Sequence, residues 1–131
     1  MDLNDKILEL SQRGYDCAGI LGKLLMETLG EDNDGLVRAF SGLDGGIGHS
    51  KDVCGCMAAG CCMLAYFGED AKPLQGEFAS WFKDEMLTFY GGYSCEDIIG
   101  NDLSKRLNIC PGIIADTYEK VMELLSDRGL I

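Results

Sequence analysis

The sequence predicts an all-α fold, a single compact helical bundle that spans residues 1–131. Apolar residues recur at helical spacing through most of the chain, and residues that begin or end helices flank these periodic segments. No segment alternates apolar and polar residues in the way that a half-buried strand does. Because 47% of the 131 residues are hydrophobic, one domain with a substantial core is expected.

The first part of the chain predicts three helices. Residues Leu3–Arg13 form a short amphipathic helix. Asp16 is the predicted N-cap of a second helix, which begins at Cys17 and ends at Gly30, because Asp caps helix starts and Gly adopts the left-handed conformation that ends them. Residues Leu36–Phe40 form a third, short helix.

The rest of the chain predicts four more helices. Asp52 is the predicted cap of a helix over Val53–Tyr66, and its all-round apolarity indicates a central, buried position. A longer amphipathic helix covers Leu74–Tyr90, and Ser94 caps a short helix after it. The last helix is predicted to begin at Cys110, which precedes a proline, since proline is favoured at the first helical position.

The charge of the chain limits its partners. Its 22 acidic residues against 11 Lys and Arg give a formal charge of −11, which would repel nucleic acid and anionic lipid surfaces. The longest apolar stretch, around Met57–Phe67, is interrupted and too short to span a bilayer. No export signal is recognised at the start, so we expect a cytoplasmic protein. A homodimer stays an open alternative, since a small acidic protein can still bury an apolar face.

Seven cysteines are present, an odd number that favours reduced thiols or metal ligands over a disulfide scaffold. Four of them stand at predicted helix starts, where unpaired N–H groups carry partial positive charge and favour thiolates. These four candidate catalytic and metal-ligating residues are Cys17, Cys54, Cys95 and Cys110. We expect Cys61 and Cys62 to pack in the core, and Cys56 is left open between core and site.

The order of these residues resembles a family of small proteins named for a C-GCAxxG-C-C cysteine pattern, to which redox activity is ascribed. The resemblance covers about residues 16–125 and includes the glycine-rich segment before Cys54-Gly55. The sequence departs from the pattern at Cys56, where alanine is expected, and at Ala59, where glycine is expected. Either Cys54 or Cys56 can therefore be aligned with the family cysteine, and we favour Cys54.

The resemblance implies redox chemistry at grouped cysteines, by thiol–disulfide exchange or electron transfer with a partner protein or a small-molecule oxidant. Exchange needs one thiolate and a second, nearby cysteine. The preferred pair joins Cys54 to Cys17, Cys95 or Cys110. Cys54 and Cys56 point apart in a regular helix and form a pair only if Gly55 bends the backbone.

Metal binding is the alternative use of the same four cysteines. Converging thiolates could hold an iron–sulfur cluster or a tetrahedral zinc ion. The cysteines are scattered singly, however, and do not form the Cys-x-x-Cys pairs of ferredoxins and zinc ribbons. No Cys-x-x-Cys-His motif is present, so we expect no covalently attached haem.

A glycine-rich loop precedes the apolar central helix. Gly45, Gly46 and Gly48 could bring backbone N–H groups close to an anion or a cofactor, because glycine permits close approach. A tight turn that serves only the fold is the competing interpretation. His49, the one histidine, is expected to be exposed or hydrogen-bonded in this loop.

Overall fold

The computed structural model describes residues 1–131 and contains seven α-helices, one short 3-10 turn and no strand. The all-α prediction is therefore confirmed. The helices are α1 (Leu3–Gln12), α2 (Cys17–Leu29), α3 (Asp34–Ser41), α4 (Gly55–Ala65), α5 (Lys72–Tyr90), α6 (Cys95–Ile98) and α7 (Leu103–Asp127). None of them combines the length and the apolarity that crossing a bilayer requires.

Helix α4 lies at the centre of the bundle, as its apolar sequence predicts, and packs against α2, α5 and α7. Small residues permit this close packing: a β-carbon added at Gly60 would fall 2.3 Å from the Phe78 ring of α5. Ala59, Met63 and Leu64 belong to the single cluster of 28 buried residues that forms the core.

Two cysteines of α4 differ from each other in burial. Cys61 is half-buried and packs against the core, as expected. Cys62 is exposed, so its assignment to the core is wrong. The reason is that α4 leaves one side of its last turns, including Ala65, open to solvent, although the sequence of the helix is apolar on every side.

Local signals mark most of the helix ends. Gly30 and Gly91 end α2 and α5 in the left-handed conformation, with φ of 65° and 75°. The Ser94 side chain accepts a hydrogen bond from the Asp97 N–H and caps α6, as predicted. Asp102 caps α7 in the same way through the N–H groups of Ser104 and Lys105.

The starts of α4 and α7 differ from the prediction in ways that bear on the cysteines, whereas α3 and α5 each begin two residues earlier than predicted. Helix α4 begins after Cys54, so Asp52 lies outside it and does not cap it. Helix α7 begins at Leu103 and contains Pro111 in its interior, so Cys110 is not at a helix start. An internal proline costs about 3 kcal/mol through its missing N–H. The buried C-terminal half of α7, from Ile113 to Leu125, offsets that cost by packing into the core.

A candidate thiol site

One cavity of about 370 Å³ brings together cysteines from four helices. Five of the seven cysteines line it, namely Cys17, Cys54, Cys56, Cys95 and Cys110. All four candidate cysteines thus face a single space, although they are up to 93 positions apart in sequence (110 − 17). The cavity is mostly apolar, with 14 hydrophobic residues among the 23 that line it.

Cys54 is the N-cap residue of α4 and has non-helical backbone angles, φ −55° and ψ 129°. Its carbonyl oxygen accepts hydrogen bonds from the N–H groups of Met57 and Ala58, at 3.0 and 3.3 Å. The pKa of Cys54 is lowered from its ordinary value, chiefly because the Cys56 thiol donates to its sulfur and further because the N–H groups of Cys56 and Met57 point at it. Burial opposes this shift. The helix start therefore favours a thiolate at Cys54.

Cys56 is the second residue of α4 and is buried, with 1% of its surface exposed. Its thiol interacts with the sulfurs of both Cys17 and Cys54, and these contacts, together with burial, raise the pKa of Cys56 well above the ordinary value. Because a thiol carries one proton, Cys56 can donate to only one of the two sulfurs at a time. These three residues, Cys17, Cys54 and Cys56, are called the thiol cluster below.

Cys17 is the first residue of α2 and completes the thiol cluster. Its pKa is lowered, first by the donated hydrogen bond from Cys56 and then by the backbone N–H of Gly45. Burial and the neighbouring Cys54 and Asp44 oppose that shift. The sulfur of Cys17 lies 3.9 Å from the Asp44 Oδ1 atom.

Asp44 caps α2 from a distance of 26 residues along the chain. Its Oδ1 atom accepts hydrogen bonds from the N–H groups of Ala18 and Gly19, at 2.9 and 3.3 Å. Asp16 occupies the N-cap position, as predicted, but its side chain makes no capping bond. Asp44 is buried, and burial raises the pKa of its carboxyl. The sequence offered one signal for this role, an aspartate inside the glycine-rich loop.

The glycine-rich loop forms the wall of the cavity beside Cys17 and Cys95. Gly45 and Gly46 line the cavity with left-handed φ values of 63° and 79°, whereas Gly48 is exposed and lies outside the lining. A β-carbon at Gly46 would meet the Cβ atom of Cys95 at 2.9 Å. Glycine is therefore needed there for the backbone to approach Cys95. His49 is exposed, as expected.

Cys95 and Cys110 lie beside Arg106 in the cavity lining. Burial raises the pKa of both thiols, that of Cys110 to about 12, and the Arg106 guanidinium only partly opposes this. Cys95 thus does not have a low pKa at the first position of α6, because burial and the neighbouring Cys54 raise it. Arg106 was not recognised from the sequence, since the last helix was expected to begin after it. In a helix that begins at Leu103, Arg106 and Cys110 share one face at i and i+4.

The cavity cysteines are not arranged as a metal site. No group of three or more His, Cys, Asp or Glu side chains is arranged to hold a metal ion. As they stand, the cysteines therefore do not fit a cluster or a zinc ion. The four-cysteine metal site stays a prediction.

The fold and the cavity define a small all-α protein with thiols of opposite pKa shift in contact with one another. Strongly perturbed, mutually interacting thiols in a cavity are typical of redox sites. The chain belongs to the family described as "Putative redox-active protein (C_GCAxxG_C_C)", whose model matches residues 15–124. That match includes every cavity cysteine and the glycine-rich loop. No curated protein and no solved structure matches the chain.

Proposed function

We propose that the protein catalyses thiol–disulfide exchange, with Cys54 as the attacking thiolate, Cys56 as the resolving thiol and Cys17 as the acceptor of the Cys56 proton. The proposal is supported by the contact of the buried Cys56 thiol with the sulfurs of Cys17 and Cys54, because Cys56 can donate to either one and lowers the pKa of both. Exchange needs such a pairing of a thiolate with a neighbouring protonated thiol.

Cys54 is the stronger candidate for the attack. Its sulfur receives donors from the Cys56 thiol and from two backbone N–H groups, and no carboxylate raises its pKa. Cys17 has the same thiol donor, but Asp44 and the neighbouring Cys54 raise its pKa. Cys54 and Cys17 are both half-buried and line the cavity, so exposure does not separate them and the choice rests on their surroundings.

The proposed reaction balances within the thiol cluster. The thiolate of Cys54 attacks one sulfur of a disulfide RSSR, a Cys54–S–S–R bond forms and RS⁻ leaves. Cys56 then passes its proton to the Cys17 thiolate, attacks the Cys54 sulfur and releases the second RS⁻. Two protein thiols are oxidised to one disulfide while RSSR is reduced to two thiolates, and Cys17 ends protonated.

Cys95 and Cys110 do not begin the exchange in this scheme. Their raised pKa values keep them protonated near neutral pH, so they line the cavity as thiols and not as nucleophiles. The oxidised protein is returned to the dithiol form by a redox partner. Work in the cytoplasm fits this cycle, because that compartment keeps thiols reduced.

The test counts the thiolates that the reduced protein releases from a small aromatic disulfide. All proteins carry Cys62→Ser, which removes the exposed thiol outside the cavity, and the parent protein is expected to release two thiolates per thiol cluster. Cys56→Ser is expected to release one and to keep a stable mixed disulfide on Cys54. Cys61→Ser is the matched control, a half-buried cysteine of the same helix outside the cavity, and should behave as the parent protein. Two thiolates released by the Cys56→Ser cluster would contradict the proposal.

Cys17→Ser separates the two steps, because a serine hydroxyl accepts a hydrogen bond but is not a base near neutral pH. The first thiolate is expected at a rate close to that of the parent protein, and the second is expected more slowly. Metal analysis of protein purified without oxygen tests the rival interpretation. Iron or zinc bound in stoichiometric amount and lost in Cys17→Ser and Cys54→Ser would contradict exchange as the function.

A further inference from the structure

The cavity has an apolar lining and one cationic side chain, neither of which the exchange chemistry alone requires. Most of its lining is apolar, with Ile7, Leu8, Ile20 and Leu107 among the lining residues. Its two charged lining residues are Arg106, which is half-buried, and Asp16, which is exposed. Arg106 is thus the one cation in the lining.

Arg106 is not committed to a carboxylate of the protein. The five salt bridges of the structure join other residues, although acidic residues outnumber basic ones by two to one. Its guanidinium lies near the Cys95 thiol, on the same helical face as Cys110. A half-buried arginine without an ion pair in an apolar cavity can pair with an anionic group of a ligand, even in a protein whose net charge is −11.

The size of the cavity limits what can reach the thiols. Its 370 Å³ lies in the range of small-molecule sites, and the attacking Cys54 is half-buried in its lining, so a small disulfide suits this space better than one held in a folded protein. A peroxide without an organic group would gain nothing from an apolar lining. The apolar lining, Arg106 and the thiol cluster together favour one class of substrate.

We propose that the cavity binds a small organic disulfide that has an apolar body and a carboxylate, with the carboxylate on Arg106 and a disulfide sulfur at Cys54. This inference rests on the proposed function, since the same Cys54 and Cys56 carry out the exchange. In this exchange the bound disulfide is reduced to two thiolates as the Cys54–Cys56 disulfide forms.

The test compares two aromatic disulfides of similar shape, the dicarboxylate dithionitrobenzoate and the uncharged dithiodipyridine. All proteins carry Cys62→Ser, because Cys62 is an exposed thiol outside the cavity. Arg106→Gln removes the cavity cation. Lys105→Gln is the matched control, since it removes the same charge from the neighbouring, exposed position of α7, which does not line the cavity.

We expect Arg106→Gln to lower the ratio of the dicarboxylate rate to the uncharged rate by about tenfold, the effect of one charge-assisted hydrogen bond. Lys105→Gln is expected to leave this ratio unchanged. Equal loss with both probes in Arg106→Gln would show that the arginine acts only on the thiols and would overturn the proposed substrate class. An equal fall of this rate ratio in Arg106→Gln and Lys105→Gln would show that net charge, and not a contact with Arg106, sets the preference, and would also overturn the proposed substrate class.

The reaction of the parent protein, which keeps Arg106, shows whether the proposed function or only the proposed substrate class has failed. If dithiodipyridine oxidises Cys54 and Cys56 to a disulfide but the ratio does not depend on Arg106, the substrate class fails and exchange stands. If neither probe produces that disulfide, the proposed function fails first.

Discussion

Gly55 lies directly against the sulfur of Cys17. A β-carbon at position 55 would fall 2.8 Å from the Cys17 sulfur and 2.6 Å from the carbonyl oxygen of Leu43. The glycine that follows Cys54 therefore lets the start of α4 approach the start of α2. Without this approach the Cys56 thiol could not reach the sulfurs of Cys17 and Cys54 together.

Gly55→Ala tests this approach. The carbonyl of Leu43 is backbone and cannot rotate away, so the two helix starts must separate, and the expected loss in the free energy of unfolding is about 1–3 kcal/mol. The pKa of Cys17 should rise as its Cys56 donor withdraws, which alkylation of Cys17 against pH measures. Gly76→Ala in α5 is the control, because nothing lies within 4 Å of its added β-carbon. There, alanine should stabilise the helix by about 0.5–1 kcal/mol.

The stability that capping gives to α2 should depend on Asp44 and not on Asp16, although Asp16 is the predicted N-cap. Asp44→Ala leaves the Ala18 and Gly19 N–H groups without their acceptor and should cost about 1–2 kcal/mol in urea unfolding. Asp16→Ala should cost less than about 0.5 kcal/mol, because its side chain makes no capping bond. A larger loss for Asp16→Ala than for Asp44→Ala would contradict the assignment.

Asp44→Asn separates the charge of Asp44 from its hydrogen bonds. The amide oxygen can still accept from the two N–H groups, while the carboxylate that raises the pKa of Cys17 is removed. The pKa of Cys17 should therefore fall further, and its alkylation should reach half its maximal rate at lower pH than in the wild type. An unchanged or raised midpoint would show that Asp44 does not act on the thiol through its charge.

Alkylation should distinguish Cys54 from Cys110 by ionisation alone. Both thiols are half-buried and line the same cavity, so access is similar. The pKa of Cys54 lies below its ordinary value of 9.0, whereas that of Cys110 is raised to about 12. Cys110 is then almost wholly protonated at pH 7, and its reactivity should appear only as pH rises toward that pKa. A brief iodoacetamide pulse read by peptide mass spectrometry should label Cys54 first, and equal labelling would refute the difference.

Thr117 carries the one buried side-chain polar atom without a hydrogen-bond partner. Thr117→Val replaces the hydroxyl by a methyl group of similar size and should raise the free energy of unfolding by about 1 kcal/mol. Thr88→Val is a suitable comparison, because the exposed Thr88 hydroxyl donates to the Asp84 carbonyl and its loss should change stability by less than about 0.5 kcal/mol. Destabilisation by Thr117→Val would mean that the hydroxyl has a partner.

Features encoded by neighbouring residues could be predicted from the sequence. Gly30 and Gly91 end helices as expected, and Ser94 caps α6, since each needs only a local backbone conformation. The start of α7 could not be predicted in this way. The preference of proline for a first helical turn is local, whereas the packing that keeps Pro111 inside a helix comes from the rest of the core.

The candidate site likewise has features that the sequence predicts and features that depend on long-range contacts. The four candidate cysteines could be selected from their order, and they line one cavity. The roles proposed for Cys56 and Asp44 depend on long-range contacts: Cys56 meets Cys17 from another helix, and Asp44 caps α2 from 26 residues away. Helical periodicity also sets Cys56 opposite Cys54, and the two approach only because Cys54 lies outside the helix.

The most direct test of the central claim is peptide mapping of the disulfide that forms when the reduced protein is equilibrated with a small organic disulfide. The proposed exchange at Cys54 and Cys56 predicts a Cys54–Cys56 linkage as the main product, with Cys95 and Cys110 recovered as free thiols. Cys56 recovered as a free thiol while other cavity cysteines are oxidised would contradict its role as the resolving thiol.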